Sequence, residues 1–195
     1  MRETAEYAVS QLTAWQRDWL ADLDAYAIGH AAERETVEHF RDFMRSHADA
    51  ARRELATGHL TGAVWLVSAD GRRVLLTHHR KLQRWLQLGG HADGDVDLVA
   101  VALREAEEES GLRDLAIERE IFDLDRHWIP DHGAVPGHWH YDLRYVVRCC
   151  GDERFVVSDE SLALAWCDID AMIGSPGYDE SLQRMARKWL ARSTR

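Results

Sequence analysis

Residues Gly89–Leu112 read GGHADGDVDLVAVALREAEEESGL, and the rest of the chain is arranged around them. The pair Gly89-Gly90 opens the stretch, a short polar loop follows, and a segment of helical periodicity then runs to a stop at Gly111. Residues three and four apart on a helix share a face. Glu105, Glu108 and Glu109 therefore project together, while Val99, Ala102, Leu103 and Ala106 make the opposite, apolar face. Carboxylates crowded on one face repel one another and weaken an isolated helix. Taken alone, EAEEES reads as a solvated acidic surface. The other reading is a ligand cluster for a hard cation, because Mg²⁺ binds through a few carboxylates together with substrate phosphates.

The frame around the glutamates separates these readings. The stretch resembles the Nudix box, in which a glycine, five residues, a glutamate and seven residues precede Arg-Glu-apolar-any-Glu-Glu-any-Gly-apolar. Gly90, Arg104, Glu105, Ala106, Glu108, Glu109, Gly111 and Leu112 fall on that pattern in register. One position departs: Val96 stands where the pattern has its first glutamate, flanked by Asp95 and Asp97, either of which could supply a carboxylate after a small loop shift.

The resemblance covers roughly residues 57–195. It implies an α/β fold, a Nudix-like α/β/α sandwich with a mixed sheet, preceded by an N-terminal helical segment over residues 1–56. It also implies hydrolysis of the pyrophosphate bond of a nucleoside diphosphate linked to another moiety, X, with Mg²⁺ or Mn²⁺. By position, Glu105, Glu108 and Glu109 are the implied metal ligands, with the Gly90 carbonyl as a further one. Arg104 is implied to hold the glutamates by bidentate hydrogen bonds. The implied general base is Glu109 or Glu160, the latter because family members often place a glutamate in the loop before a late strand with tryptophan. His91, directly after Gly90, is assigned to substrate contact.

Composition agrees with a soluble globular protein. The net charge of −10 argues against a general nucleic-acid binder, and an acidic protein handling polyphosphates needs a cation to neutralise its ligand. No apolar run approaches a membrane span and no signal segment opens the chain, so no membrane partner is expected. Cys149, Cys150 and Cys167 are too few and too oddly spaced for a disulfide framework, which points to a reducing cytoplasm.

Outward from the box, helical spacing of Val9, Leu12, Trp15, Trp19 and Leu23 predicts a helix over about residues 3–27, broken at Gly29. A second helix is expected over 32–45 with Val37, Phe40 and Met44 on one face, and a short helical piece over 49–55. These helices either cover the catalytic domain or form a homodimer contact. From Leu60 the period changes: residues 61–68 and 73–78 flank the turn signal Asp70-Gly71 and read as a hairpin. His78, His79, Arg80 and Lys81 at its end read either as a solvated basic turn or as phosphate contacts, Arg80 and Lys81 above all. Further strands are expected over 117–124, 138–148, 155–157 and 164–167, a loop over 125–137, and a closing helix over 178–192 with Leu182, Met185 and Trp189 on one side.

In HWHYDLRY, His138, His140, Asp142 and Arg144 share one strand face, and Trp139, Tyr141, Leu143 and Tyr145 the other, packed one. Histidines two apart beside a carboxylate are either metal ligands or a polar wall lining a substrate pocket without metal, and the wall is the reading taken forward: His138, His140 and Asp142 contact the substrate. Trp128, Trp139, Tyr141 and His140 are candidates for stacking on a base, with packing as the alternative. Two other functions fit the same resemblance. Isopentenyl-diphosphate isomerases share the fold and the Gly90-His91 pair but use a cysteine near it, and here Cys149 is the nearest. A non-catalytic sensor of a nucleotide-like ligand is the other; retention of all three glutamates speaks against it.

Overall fold

A computed structural model of the chain describes residues 12–133, 135–158 and 161–192. Helix α1 (Ala14–Gly29) starts at Thr13, whose side chain accepts from the Gln16 backbone while the Gln16 side chain reaches back, a capping box. The Gln16 amide then donates to the Met44 carbonyl in α2 (Arg34–Ser46), which locks the two helices as a hairpin. The part of the expected first helix before Leu12, including Val9, lies outside the described residues.

Eight strands follow, interleaved with two further helices: β1 (Gly58–Val67), β2 (Arg73–His79), β3 (Arg84–Leu86), β4 (Leu88–His91), α3 (Leu98–Ser110), β5 (Leu115–Ile117), β6 (Asp123–Ile129), β7 (His138–Cys149), β8 (Ser161–Asp168) and α4 (Glu180–Arg192). They form one mixed sheet. β1 runs parallel to β7 along its whole length, from Gly58↔Trp139 to Val67↔Arg148, and the other pairings are antiparallel. The other edge of β1 is shared. β2 pairs with it only at Val67↔Val74 and then diverges to pair with β3 and β8, while β4 takes its place from Thr61 to Val64. The sheet thus forks beside the residues that carry the glycine pair.

Each face has its own core. Leu60, Val64 and Leu66 of β1, with Tyr141, Leu143 and Tyr145 of β7, pack under α1, α2 and α3. Trp65, Val67 and Val146 on the reverse pack under Leu182, Met185 and Trp189 of α4, the side the sequence assigned to that helix. The apolar strand face of the HWHYDLRY segment is therefore the one covered by the N-terminal hairpin: the Tyr141 ring stacks on Phe43 at 4.0 Å between centroids and meets the edge of Phe40 at 5.2 Å.

A buried charge cluster ties the sheet edge to helices from both ends of the chain. Asp123 of β6 has a fully buried carboxylate within 3.1 Å of Arg144 of β7, 2.7 Å of Arg184 and 2.6 Å of Lys188 of α4. Lys188 also reaches Glu33 at 2.7 Å and the Tyr26 hydroxyl at 2.5 Å. Lys188 therefore joins the N-terminal hairpin to α4 around the edge.

Several expectations are corrected. The strand expected over 117–124 is two, β5 and β6, with residues 118–122 between them, and the first part of the expected loop over 125–137 is strand, to Ile129. The inward residues of β6 are Asp123, Asp125 and His127, so the alternation there is polar and leaves no apolar signal. Residues 155–157 make no strand: Val156 N–H bonds the Ser110 carbonyl at the end of α3, and Val156 and Val157 are exposed. Residues 49–55 form turns, held by Ala50 accepting from Leu60 N–H, because the chain must bend into β1. The short strands β3 and β4 carry no readable alternation. Among the described residues no helix is long and apolar enough to cross a membrane.

The Asp123 cluster yields a stability prediction. The surrounding cations hold its carboxyl below the usual carboxylate range against the opposing effect of burial. A depressed folded pKa contributes stability above the unfolded value, about 3.9, that is lost as pH falls through the folded one. Stability should therefore decline as the pH drops below about 4. Asp123→Asn, which leaves Arg144, Arg184 and Lys188 facing a neutral group, should cost about 3–5 kcal/mol in urea unfolding at neutral pH; a loss under about 1 kcal/mol would show that the cluster is not holding the edge.

Candidate active site

The glycine pair lets β4 lie flush against both β1 and α3. Gly89 has φ +153°, and a Cβ there would sit 2.6 Å from the Ala63 backbone. A Cβ on Gly90, pointing the other way, would sit 2.5 Å from the Glu105 carboxyl carbon. The Glu105 carboxylate is thus laid against the β4 backbone in the space a side chain would fill. One turn on, Glu109 accepts the Gly89 N–H at 2.8 Å. Glu108, between them on the same helix, is exposed. The helix is brought this close because Gly62 of β1 presents no side chain to it: a Cβ there would meet the Leu98 carbonyl at 3.0 Å. Val101, Ala102 and Ala106 are buried within one turn of Glu105 and Glu109, so the carboxylates flank the buried face rather than oppose it, and Leu103, expected on the packed face, is only half-buried.

Arg104 lies between two carboxylates, 3.6 Å from Glu105 and 3.7 Å from Asp95. This is an ion-pair bridge rather than a bidentate grip on the glutamates. The loop around Val96 has its own construction. Asp97 caps α3 by accepting Ala100 N–H at 3.1 Å, and Asp95 accepts Asp97 N–H at 3.0 Å. Both flanking aspartates thus have local structural work. The Val96 carbonyl accepts the indole N–H of Trp19 at 2.9 Å, so α1 pins the loop before α3. The donors against β4 are oxygens, the Glu105 and Glu109 carboxylates on a bare glycine backbone, with Glu108 exposed on the same helix, and oxygen donors suit a hard divalent cation.

The basic turn follows β2. Arg80 donates to the Ser161 carbonyl at 3.1 Å, and Lys81 is exposed. Glu160 lies outside the described residues.

The reverse face of the sheet carries the other sequence-assigned residues. Residues paired across strands point the same way, so register alone builds the rows. One row is Asp125, Asp142, Thr61 and His91; the next, farther from α4, is His127, His140 and His59. Asp142 is buried and held by the Thr61 hydroxyl and by Arg144 at 3.1 Å. His127 Nδ1 lies 3.2 Å from Asp125, and the two carboxylates around it raise its pKa against the opposing effect of burial. His59, His91 and His140 go the other way. Burial, and then the neighbouring imidazoles, bring His140 down to about 2 and His59 to about 4, and burial lowers His91 as well. His59 is only 2% exposed, and neither of its ring nitrogens has a hydrogen-bond partner among the described residues. Leaving a buried polar atom unpaired costs about 1–3 kcal/mol.

Of the base-stacking candidates, Tyr141 is buried under α2, Trp139 is covered by the Arg126 guanidinium at 3.7 Å, and Trp128 is half exposed. Sequence reasoning missed His59 and His127. Each is a lone histidine in its own strand, and only the register β6–β7–β1 reveals them as neighbours of His140.

Residues 58–190 match the family profile described as NUDIX domain. No curated protein matches. Solved structures with the same fold include an Ap4A hydrolase binary complex from C. elegans, 18% identical over 69% of this chain and 97% of that one, TM-score 0.53. A MutT protein from Methanosarcina mazei Go1 is 13% identical over 72% of this chain and 99% of that one, TM-score 0.58. An E. coli dihydroneopterin triphosphate pyrophosphohydrolase is 18% identical over 68% of this chain and 95% of that one, TM-score 0.56.

The glycine pair makes opposite predictions for two alanine substitutions. Gly89→Ala drives a methyl into the β1 backbone and should cost about 1–3 kcal/mol. Gly90→Ala meets only the end of a flexible side chain and should change stability by less than about 0.5 kcal/mol. Equal losses of stability for the two would contradict the described packing.

Proposed function

The chain belongs to the NUDIX domain family, and from that premise we propose that this Nudix-type pyrophosphohydrolase uses Mg²⁺ or Mn²⁺ to cleave the pyrophosphate of a nucleoside diphosphate linked to a further group, X. The observation that carries the reading is the Glu105 carboxylate lying against bare Gly90, with Glu109 tied to the Gly89 N–H one turn away. Glu105, Glu108, Glu109 and the Gly90 carbonyl hold the cation. A cation held there would supply charge to offset the pyrophosphate oxygens and would make a bound water more acidic.

The chain's own groups do the rest. Arg104, bridging Asp95 and Glu105, positions the acidic cluster. Glu109 or Glu160 takes the proton from the attacking water. Arg80 and Lys81 in the exposed turn after β2 meet substrate phosphates. X lies against His138 and His140, with His91 linking that face to Gly90. Asp142, its carboxylate held by Thr61 and Arg144, orients the face rather than touching X.

A panel of nucleoside diphosphate derivatives and nucleoside triphosphates, assayed for phosphorylated products, tests the substrate class; preference for triphosphates would reject it. Glu108→Gln is nearly isosteric and should lower kcat on the order of 10²-fold or more while leaving the fold intact. Wild-type turnover in that variant would reject the ligand assignment. Gly90→Ala, expected to fold normally, should weaken Mn²⁺ binding about tenfold or more by displacing Glu105.

A further inference from the structure

The sheet face turned away from α3 holds a cluster of imidazoles, His59 among them, whose ring nitrogens make no contact with the α3 carboxylates. His59 pairs with His140 across β1 and β7, and His91 pairs with Thr61, two residues along β1 from His59. The ring centroids are 4.6 Å apart for His59 and His140, 4.9 Å for His59 and His91, and 5.1 Å for His91 and His140. One ring nitrogen of each lies within 4.8 Å of the others. His59 is buried with both nitrogens unpartnered among the described residues. We propose that His59, His91 and His140 bind a divalent transition-metal ion of the Zn²⁺ type, at a site separate from the carboxylates of α3.

The chemistry selects the ion. Neutral imidazoles suit zinc and its neighbours, whereas Mg²⁺ requires oxygen donors. Three histidines leave a fourth corner for water or a substrate oxygen. His138 stands near that corner: its Nε2 is 3.3 Å from Nε2 of His140, the spacing of two corners of a tetrahedron with bonds of ~2.0–2.1 Å. His138 Nδ1 donates to the Pro136 carbonyl at 2.9 Å, which leaves the lone pair on Nε2 and matches the way metal-binding histidines are oriented.

A second grouping on the same face, His127, His140 and Asp142, also comes within ligand range. Its members are already engaged: Asp142 by Arg144 and Thr61, His127 by Asp125. An ion there would have to displace a buried guanidinium. The unengaged nitrogens are those of His59, on the other side of His140. The proposal adds an ion to the wall expected from the HWHYDLRY segment, with the open corner facing the place given to X. It does not rest on the hydrolase reading, because it concerns binding alone.

The test uses the full chain without a histidine tag, stripped with chelator and titrated with Co²⁺. The expected result is one tetrahedral Co²⁺ per chain, counted by its intense visible absorption and displaced by Zn²⁺, apart from any weakly absorbing Co²⁺ on the α3 carboxylates. The double variant His91→Gln/His140→Gln should bind the tetrahedral Co²⁺ on the order of 100-fold more weakly or worse, with its fold checked by circular dichroism, and Glu108→Gln should keep the wild-type tetrahedral absorption. X-ray absorption of the Zn²⁺-loaded wild type should show imidazole nitrogens at ~2.0–2.1 Å, and this reading holds whether or not the histidine variant folds. No binding tighter than millimolar, or a zinc shell of oxygens alone, would overturn the proposal, as would Co²⁺ binding lost in Glu108→Gln but kept in the histidine variant.

Discussion

The site depends on a backbone approach that leaves no room for a side chain. At Gly89, β4 lies against Ala63 of β1; at Gly90, the Glu105 carboxylate lies against β4. The two glycines face opposite ways, as neighbours in a strand must, so one seats the strand and the other seats the carboxylate. Gly62 completes the arrangement by letting α3 touch β1. Because β4 occupies the edge of β1 that β2 abandons after Val67↔Val74, the fork in the sheet and the acidic cluster come from one constraint.

The box helix was legible because it joins two signals that do not depend on tertiary structure: helical spacing of the glutamates and glycines at fixed offsets. Belonging to the family was legible for the same reason, and so were the closing helix and the side of it that packs, Leu182, Met185 and Trp189. The parts that were not legible are those set by register. β6 reads as loop because its inward residues, Asp123, Asp125 and His127, satisfy their polarity with Arg144, Arg184 and one another instead of with solvent. β3 and β4 are too short for alternation to show. His59 carries no local mark at all: its neighbours come from β4 and β7, residues 91 and 140.

The reverse face grades from apolar through charged to imidazole, moving away from α4. Trp65 and Val146 pack under the helix, Arg144 and Asp123 form the buried charge cluster, and the histidine row ends the series. Arg144 is fully buried among Asp123, Asp125 and Asp142, so charge there is balanced within the sheet. The N-terminal hairpin takes part through Lys188 on one side and through Trp19, which holds the Val96 carbonyl, on the other. It packs on the same core as the box helix, and its contact at Val96 holds the loop that leads into that helix.

As proposed, hydrolysis runs through a cation held by Glu105, Glu108 and Glu109. The most direct measurement is the steady-state hydrolysis rate of the best nucleoside diphosphate derivative by chelator-treated protein, before and after Mg²⁺ is returned. Turnover should disappear on chelation and return with Mg²⁺ or Mn²⁺. An undiminished rate in the cation-free protein would contradict it.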